Sequence, residues 1–78
     1  MTPLEIFEHK KRWQRVGGYA VRLHSDLRSQ GKDYCKVQMF KHQWDFSQYT
    51  DNYEDTFHFE YKQDADAFRN KFKKYADM

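Results

Sequence analysis

Apolar and polar residues recur with a helical period at the start of the chain, where the first residues also carry a helix start signal. The side chain of Thr2 can accept a hydrogen bond from the Glu5 amide, while Glu5 can reach back to the Thr2 amide. Pro3 falls at the first helical position, where its missing N–H costs nothing. The helix is predicted to run to about Arg15 and to end at the glycines at 17 and 18, which adopt left-handed backbone without steric cost.

This first helix is amphipathic. One side carries an apolar stripe, and the opposite side carries charged residues. The stripe is formed by Leu4, Phe7 and Lys11, with Ile6, Trp13 and Val16 close beside it.

The pattern then changes to the period of a strand. Residues 19–24 alternate in a way that is typical of a half-buried strand, and a helical turn is predicted around Asp26 before Gly31 interrupts it. Residues 32–43 fit two patterns: as a strand, Cys35 and Met39 share a face, and as a helix they lie near one stripe. Length and composition favour the helix, since the stretch has about a dozen residues and few of them are β-branched.

The rest of the chain reads as strand, turn, strand and helix. Residues 44–49 predict a strand, residues 50–52 have turn chemistry, and residues 56–61 alternate so that Phe57, Phe59 and Tyr61 face the core. The last helix is predicted to begin near residue 63. Its apolar stripe consists of Ala65, Phe68, Phe72 and Tyr75.

These elements predict an α+β fold in the order α-β-α-β-β-α, with a three-stranded, antiparallel-type sheet packed against helices. The chain has 78 residues, so a single compact domain spanning residues 1–78 is expected, with a marginal core. Aromatic residues make up 19% of the chain and compensate for a hydrophobic content of only 38%, because each ring can bury a large area.

Charge is unevenly distributed along the chain. Residues 1–44 hold nine Lys and Arg against four Asp and Glu, residues 45–68 hold one against seven, and residues 69–78 hold four against one. Two interpretations stay open: the segments neutralise one another across the fold, or they form exposed faces of opposite sign.

The strand and helix near the C-terminus carry a family resemblance. The run YEDTFHFE at residues 53–60, followed by DADAF at residues 64–68, resembles small tailed-bacteriophage proteins that end in an aromatic strand, an acidic turn and a helix. The resemblance covers about the last thirty residues. It implies a phage or prophage protein located in the host cytoplasm, and it brings no catalytic residue with it.

Chemical motifs are absent from the sequence. The four histidines and Cys35 form none of the ligand spacings of a metal site, and the two adjacent glycines lack the remainder of a nucleotide fingerprint. We therefore expect no enzymatic activity, no metal and no cofactor. The early charges and the lack of a long apolar run predict a cytoplasmic protein that neither carries a signal segment nor spans a membrane.

Two surfaces could bind a macromolecule. The first is an aromatic and acidic hairpin surface, which predicts a small interaction protein with a protein partner and allows a homodimer. Its residues are Tyr49, Asp51, Tyr53, Glu54 and Asp55. The alternative is nucleic-acid binding by the basic terminal helices, if the two pack side by side. Its residues are Lys10, Lys11, Arg12, Arg15, Lys71 and Lys74.

Overall fold

The computed structural model describes residues 1–47 and 54–73. Within them the chain forms three α-helices, three strands and two short 3₁₀ turns, in the predicted α-β-α-β-β-α order. The helices are α1 (Pro3–Arg15), α2 (Arg28–Gln38) and α3 (Lys62–Lys71), and the strands are β1 (Tyr19–His24), β2 (Trp44–Ser47) and β3 (Glu54–Phe59). The 3₁₀ turns are Ser25–Leu27 before α2 and Lys41–Gln43 before β2.

The start and end of α1 follow from the residue types at both ends. The Thr2 hydroxyl accepts from the Glu5 amide at 3.2 Å, and the Glu5 carboxylate accepts from the Thr2 amide at 3.0 Å, which confirms the predicted capping box. After Arg15 the chain turns through Gly17 and Gly18, whose φ angles of 122° and 52° are typical of glycine.

The sheet is antiparallel with β3 in the centre, so the strand order is β1-β3-β2. The register places Phe57 opposite Val21 on one side and opposite Phe46 on the other. Directly opposed residues of antiparallel strands point to the same face. One face of the sheet is therefore apolar across all three strands.

The core lies between this apolar face and helices α2 and α3. Its buried residues are Val21, Leu23, Cys35, Phe57, Phe59, Ala65, Phe68 and Phe72. Phe68 is at the centre, with ring centroids 4.8 Å from Phe57, 5.1 Å from Phe59 and 5.0 Å from Phe72. The prediction that Ala65, Phe68 and Phe72 face the core is confirmed, and Tyr75 lies outside the described residues.

The prediction that Gly31 interrupts a helix was wrong. Gly31 lies inside α2. A Cβ atom at this position would come within 2.7 Å of the Phe57 ring and 3.0 Å of the Leu23 side chain. A residue without a side chain is therefore needed at this position, because α2 approaches the sheet closely there, and the lower helix propensity of glycine is the cost of that packing.

The helix preferred for residues 32–43 is present over part of that stretch. Residues 32–38 belong to α2, Met39 is extended, and Lys41–Gln43 forms the separate 3₁₀ turn. The strand predicted at 56–61 begins earlier, at Glu54, and ends at Phe59. The prediction that Tyr61 faces the core was wrong: it precedes α3 as the N-cap residue and is 46% exposed.

Helix α1 packs differently from α2 and α3. Its contacts run mainly to the Lys41–Gln43 turn and to polar side chains at one end of the sheet. The Trp13 indole N–H donates to the His42 carbonyl at 2.8 Å, and Gln14 donates to the Asp45 carboxylate at 2.8 Å. Trp13 is buried, whereas Leu4 and Phe7 remain 65% and 56% exposed.

Candidate interaction surface

The hairpin surface predicted from the sequence lies partly outside the described residues, which exclude Tyr49, Asp51 and Tyr53. Glu54 is half-buried at the start of β3, opposite His24 of β1. Asp55 has no exposed surface. The sequence predicted an exposed Asp55 in a binding surface, whereas the side chain is buried.

Asp55 is buried because it shares the inward face of β3 with Phe57, two residues later. The Arg28 guanidinium donates to both carboxylate oxygens, at 2.9 and 3.3 Å. A buried charge is tolerated only when it is paired and hydrogen-bonded. The carboxylate of Asp55 thus serves to hold α2 on the sheet and is not accessible to a partner.

Three of the six predicted basic residues line two separate grooves. The α1 cations Lys10 and Lys11 line a groove beside the Lys41–Gln43 turn, and Lys71 lines a groove between α2 and α3. Arg12 and Arg15 are exposed on α1, and the Arg12 guanidinium lies 3.5 Å from Nδ1 of His9. Lys74 lies outside the described residues.

The groove beside α1, called the α1 groove below, has a volume of about 610 Å³. Volumes of this size are typical of binding pockets. It is lined on one side by α1 and on the other by residues at the start of β2 and in the turn before it. The lining residues are Pro3, Ile6, Phe7, Lys10, Lys11, Gln14, Lys41 and Asp45.

Helical geometry explains which residues of α1 line the groove. Pro3, Phe7, Lys10 and Gln14 follow one another at steps of four, three and four, so they share one face of the helix. The glutamates Glu5 and Glu8 are not part of this lining. The groove therefore combines an apolar floor near the start of α1 with cations in its later turns.

A smaller recess of about 250 Å³ continues the apolar surface. It shares Ile6 and Lys41 with the α1 groove and adds Met1, Phe40 and His42. Phe40 is 70% exposed and stacks on the His42 ring at a centroid distance of 5.8 Å. Neighbouring large apolar side chains with this much exposed surface are typical of interaction surfaces.

The electrostatics of the α1 groove favour anions. Asp45 is already engaged, because Gln14 donates to it at 2.8 Å and the Lys10 ammonium lies 3.7 Å away. Lys11 and Lys41 have no ion-pair partner within residues 1–47 and 54–73. The Lys11 ammonium lies 4.9 Å from the centroid of the Phe7 ring, so a cation and an exposed ring are presented together.

The groove between α2 and α3 differs in charge. It has a volume of about 540 Å³, and it holds one carboxylate, Asp33, and one ammonium, Lys71. Its apolar lining includes Val37, which is 79% exposed. It therefore offers a surface of similar size to the α1 groove without the excess of positive charge.

Nucleophilic and metal chemistry find little support in the described residues. Burial raises the pKa of the Cys35 thiol to about 12, so the reactive thiolate is strongly disfavoured. The Ser47 hydroxyl lies 3.1 Å from Nε2 of His58, whose pKa is lowered by burial. This pair lies on β2 and β3, away from the described grooves. No cluster of three or more His, Cys, Asp or Glu suited to a metal ion occurs in residues 1–47 and 54–73.

No family model, curated protein or solved structure matches the chain. Among the helices of the described part, none has the length and apolar character needed to cross a membrane.

Part of the α1 groove is predictable from the sequence. The spacing places Leu4, Phe7 and Lys11 on one stripe, but nothing in the sequence shows that this stripe stays uncovered. The sequence predicts a helix at Phe40 and Lys41, whereas Phe40 caps the turn before β2 and Lys41, in that turn, lines the second wall of the groove. The groove depends on that turn, which sequence periodicity did not reveal.

Proposed function

We propose that this chain is a small, non-enzymatic interaction protein that binds a protein partner through the α1 groove. The observation that carries the proposal is the exposure of Phe7, which lines the α1 groove of about 610 Å³, and of Phe40 in the adjoining recess, at 56% and 70%. A small domain that leaves large apolar side chains uncovered in one area has surface suited to a partner, since each ring can bury a large area on binding.

The hairpin surface remains a second proposed contact. Tyr49, Asp51 and Tyr53 stay as predicted partner-binding residues, together with Glu54, which is half-buried at the start of β3. Asp55 is excluded from this surface by its pairing with Arg28. The resemblance to tailed-phage proteins favours a partner in the cytoplasm of a bacterial host.

Nucleic-acid binding is the alternative proposal, supported by the exposed cations of α1. It is the weaker of the two, because Lys10 is close to Asp45 and the cations of α1 and α3 line different grooves. A salt titration against random duplex and single-stranded DNA and RNA tests it. Retention that weakens with rising salt supports this alternative, and no retention at low salt contradicts it.

Site-specific photo-cross-linking tests the main proposal. A photoreactive phenylalanine analogue is placed at Phe7, in the α1 groove, or at Val37, in the groove between α2 and α3. Both side chains are apolar and exposed, Phe7 at 56% and Val37 at 79%, so the control position is at least as accessible as the test position. In an extract of the native cell, we expect a discrete protein adduct from position 7 that is absent from position 37.

Competition shows whether that adduct reflects the groove. Excess unlabelled wild-type protein should prevent formation of the adduct, whereas excess Phe7→Ser should not. The same adduct pattern from both positions, or no adduct from position 7, would contradict the proposal.

A further inference from the structure

We infer that the partner segment bound by the α1 groove is an acidic amphipathic helix of another protein. This inference rests on the proposed function and specifies the chemistry of the partner. It follows from three features of the groove: its charge, its apolar floor and its direction along α1.

Charge defines the polar side of the partner. The α1 groove is lined by three lysines, Lys10, Lys11 and Lys41, and by one carboxylate, Asp45. Since Asp45 is bonded to Gln14 and lies close to Lys10, two ammonium groups are left for an incoming anion. Carboxylates on the partner would meet complementary charge, which accelerates encounter and fixes orientation.

The apolar floor defines the other side of the partner. Ile6 and Phe7 line the α1 groove, and Met1 and Phe40 extend the surface through the adjoining recess. Leucine-type side chains repeated on one face of a helix can fill such a groove, as in other helix-in-groove complexes. From Pro3 to Gln14 the groove wall is about 17 Å long at a rise of about 1.5 Å per residue, which is about three helical turns.

Other occupants fit these features less well. A flat bilayer cannot follow a concave groove between a helix and a turn, and phosphates would meet the apolar floor and Asp45. A second copy of the chain would need an acidic helix with an exposed apolar face. In the described part, α3 carries Asp64 and Asp66 in its first turns, but it buries its apolar stripe in the core.

A synthetic peptide tests the inference directly. The probe is a fluorescein-labelled helical peptide with leucines at i, i+3, i+4 and i+7 and glutamates on the opposite face. Its binding to the full chain is measured by fluorescence anisotropy at low and high salt. We expect saturable binding that weakens as salt rises, because part of the attraction is between exposed charges.

Matched variants locate the binding. Phe7→Ser and Lys11→Glu should each weaken binding roughly tenfold, the loss expected for a contributing interface residue. Lys36→Glu makes the same charge change on an exposed residue of α2 outside the described grooves, and it should leave the affinity unchanged. A peptide with lysines in place of the glutamates should not bind.

Several results would overturn the inference. These are no binding of the acidic peptide, equal binding of the lysine peptide, or equal losses from Lys11→Glu and Lys36→Glu. Binding to phosphatidylglycerol vesicles that is lost in Phe7→Ser, without peptide binding, would identify a lipid surface as the occupant. Self-association in sedimentation that is lost in Phe7→Ser would identify a second copy.

The two proposals fail in different ways. If cross-linking at Phe7 captures a protein but the acidic peptide does not bind, the α1 groove has a partner of different chemistry and only the inference is contradicted. If cross-linking at Phe7 captures no protein and the acidic peptide does not bind, both proposals are contradicted.

Discussion

Helices α1 and α3 have similar sequence patterns and opposite surroundings. Both are amphipathic, and each has an apolar stripe at helical spacing. α3 buries Ala65 and Phe68, with Phe72 just beyond its end, whereas α1 buries Trp13 and leaves Leu4 and Phe7 exposed. The comparison teaches that periodicity predicts a helix and its apolar side but not whether the fold covers that side.

The two helices are also held by different forces. α3 is held by ring packing, with Phe68 among three other phenylalanines. α1 buries one ring, Trp13, and is otherwise held by polar contacts, including the hydrogen bond between His9 and Glu60 at 3.0 Å and that from Trp13 to the His42 carbonyl. A typical hydrogen bond contributes about 0.5–1.5 kcal/mol net, and burial of a large apolar side chain contributes about 1.5–3 kcal/mol. The α3 side should therefore dominate stability.

Thiol labelling should show the largest difference between the two sides. Cys35 has no exposed surface and its pKa is raised to about 12, so in the native protein at about pH 8 the thiol is protonated and shielded. We expect it to react with an aromatic disulfide reagent at least about a thousandfold more slowly than when unfolded, because labelling requires opening of a stable core. Leu4→Cys in a Cys35→Ala background should react at nearly the unfolded rate. Fast labelling of native Cys35 would contradict a tightly packed α3 side.

The same thiol predicts a direction for stability at high pH. The pKa of Cys35 is raised from an ordinary 9.0 to about 12 in the folded state. As pH rises above 9, the unfolded chain therefore loses this proton first and the free energy of unfolding falls. Cys35→Ala should lose less stability than the wild type between pH 8 and pH 10, measured by urea denaturation at each pH; equal losses would contradict the raised pKa.

Truncation of Phe68 should cause the largest loss of stability among single changes in these two helices. Phe68→Ala removes a fully buried ring from the centre of the core, and such changes typically cost about 3–5 kcal/mol. Phe7→Ala is the matched control on α1 and should change the free energy of unfolding by less than about 0.5 kcal/mol, as exposed positions do. Urea denaturation followed by circular dichroism measures both, and similar losses would remove the distinction between the helices.

A smaller loss is expected at the anchor of α1. Trp13→Phe retains an aromatic ring but removes the N–H that donates to the His42 carbonyl at 2.8 Å. An unsatisfied acceptor costs about 1–3 kcal/mol when buried, and since this bond is partly buried we expect a loss near the lower end of that range. The same denaturation experiment should show this loss, and a neutral effect would mean that water replaces the lost donor.

The sequence predicted most of the fold because local chemistry decides it. The capping box at Thr2 and Glu5 needs no partner from elsewhere in the chain, and the alternation around Phe57 defines a strand by itself. The position of Asp55 could have been predicted from the same alternation, since it lies two residues before Phe57 on the inward side. The prediction started the strand at residue 56 and so left Asp55 out of the alternation.

What the sequence could not predict depends on neighbours distant along the chain. Position 31 of α2 needs a glycine because the Phe57 ring lies against it. That close contact forms only when α2 packs on β3. The α1 groove likewise requires the turn around Lys41 to lie beside α1, although Lys41 is thirty residues from Lys11 along the chain. Local sequence patterns do not show which distant segments of the chain pack against each other.

The exposed side of α1 is the central feature of this account, and Phe7→Ser tests it most directly. In one set of samples, the free energy of unfolding and the affinity for the acidic leucine peptide are measured for the wild type and the variant. We predict a change in stability of less than about 0.5 kcal/mol, because Phe7 is 56% exposed, together with a roughly tenfold loss of affinity. A large loss of stability, or an unchanged affinity, would contradict the conclusion that Phe7 is held out of the core and available to a partner.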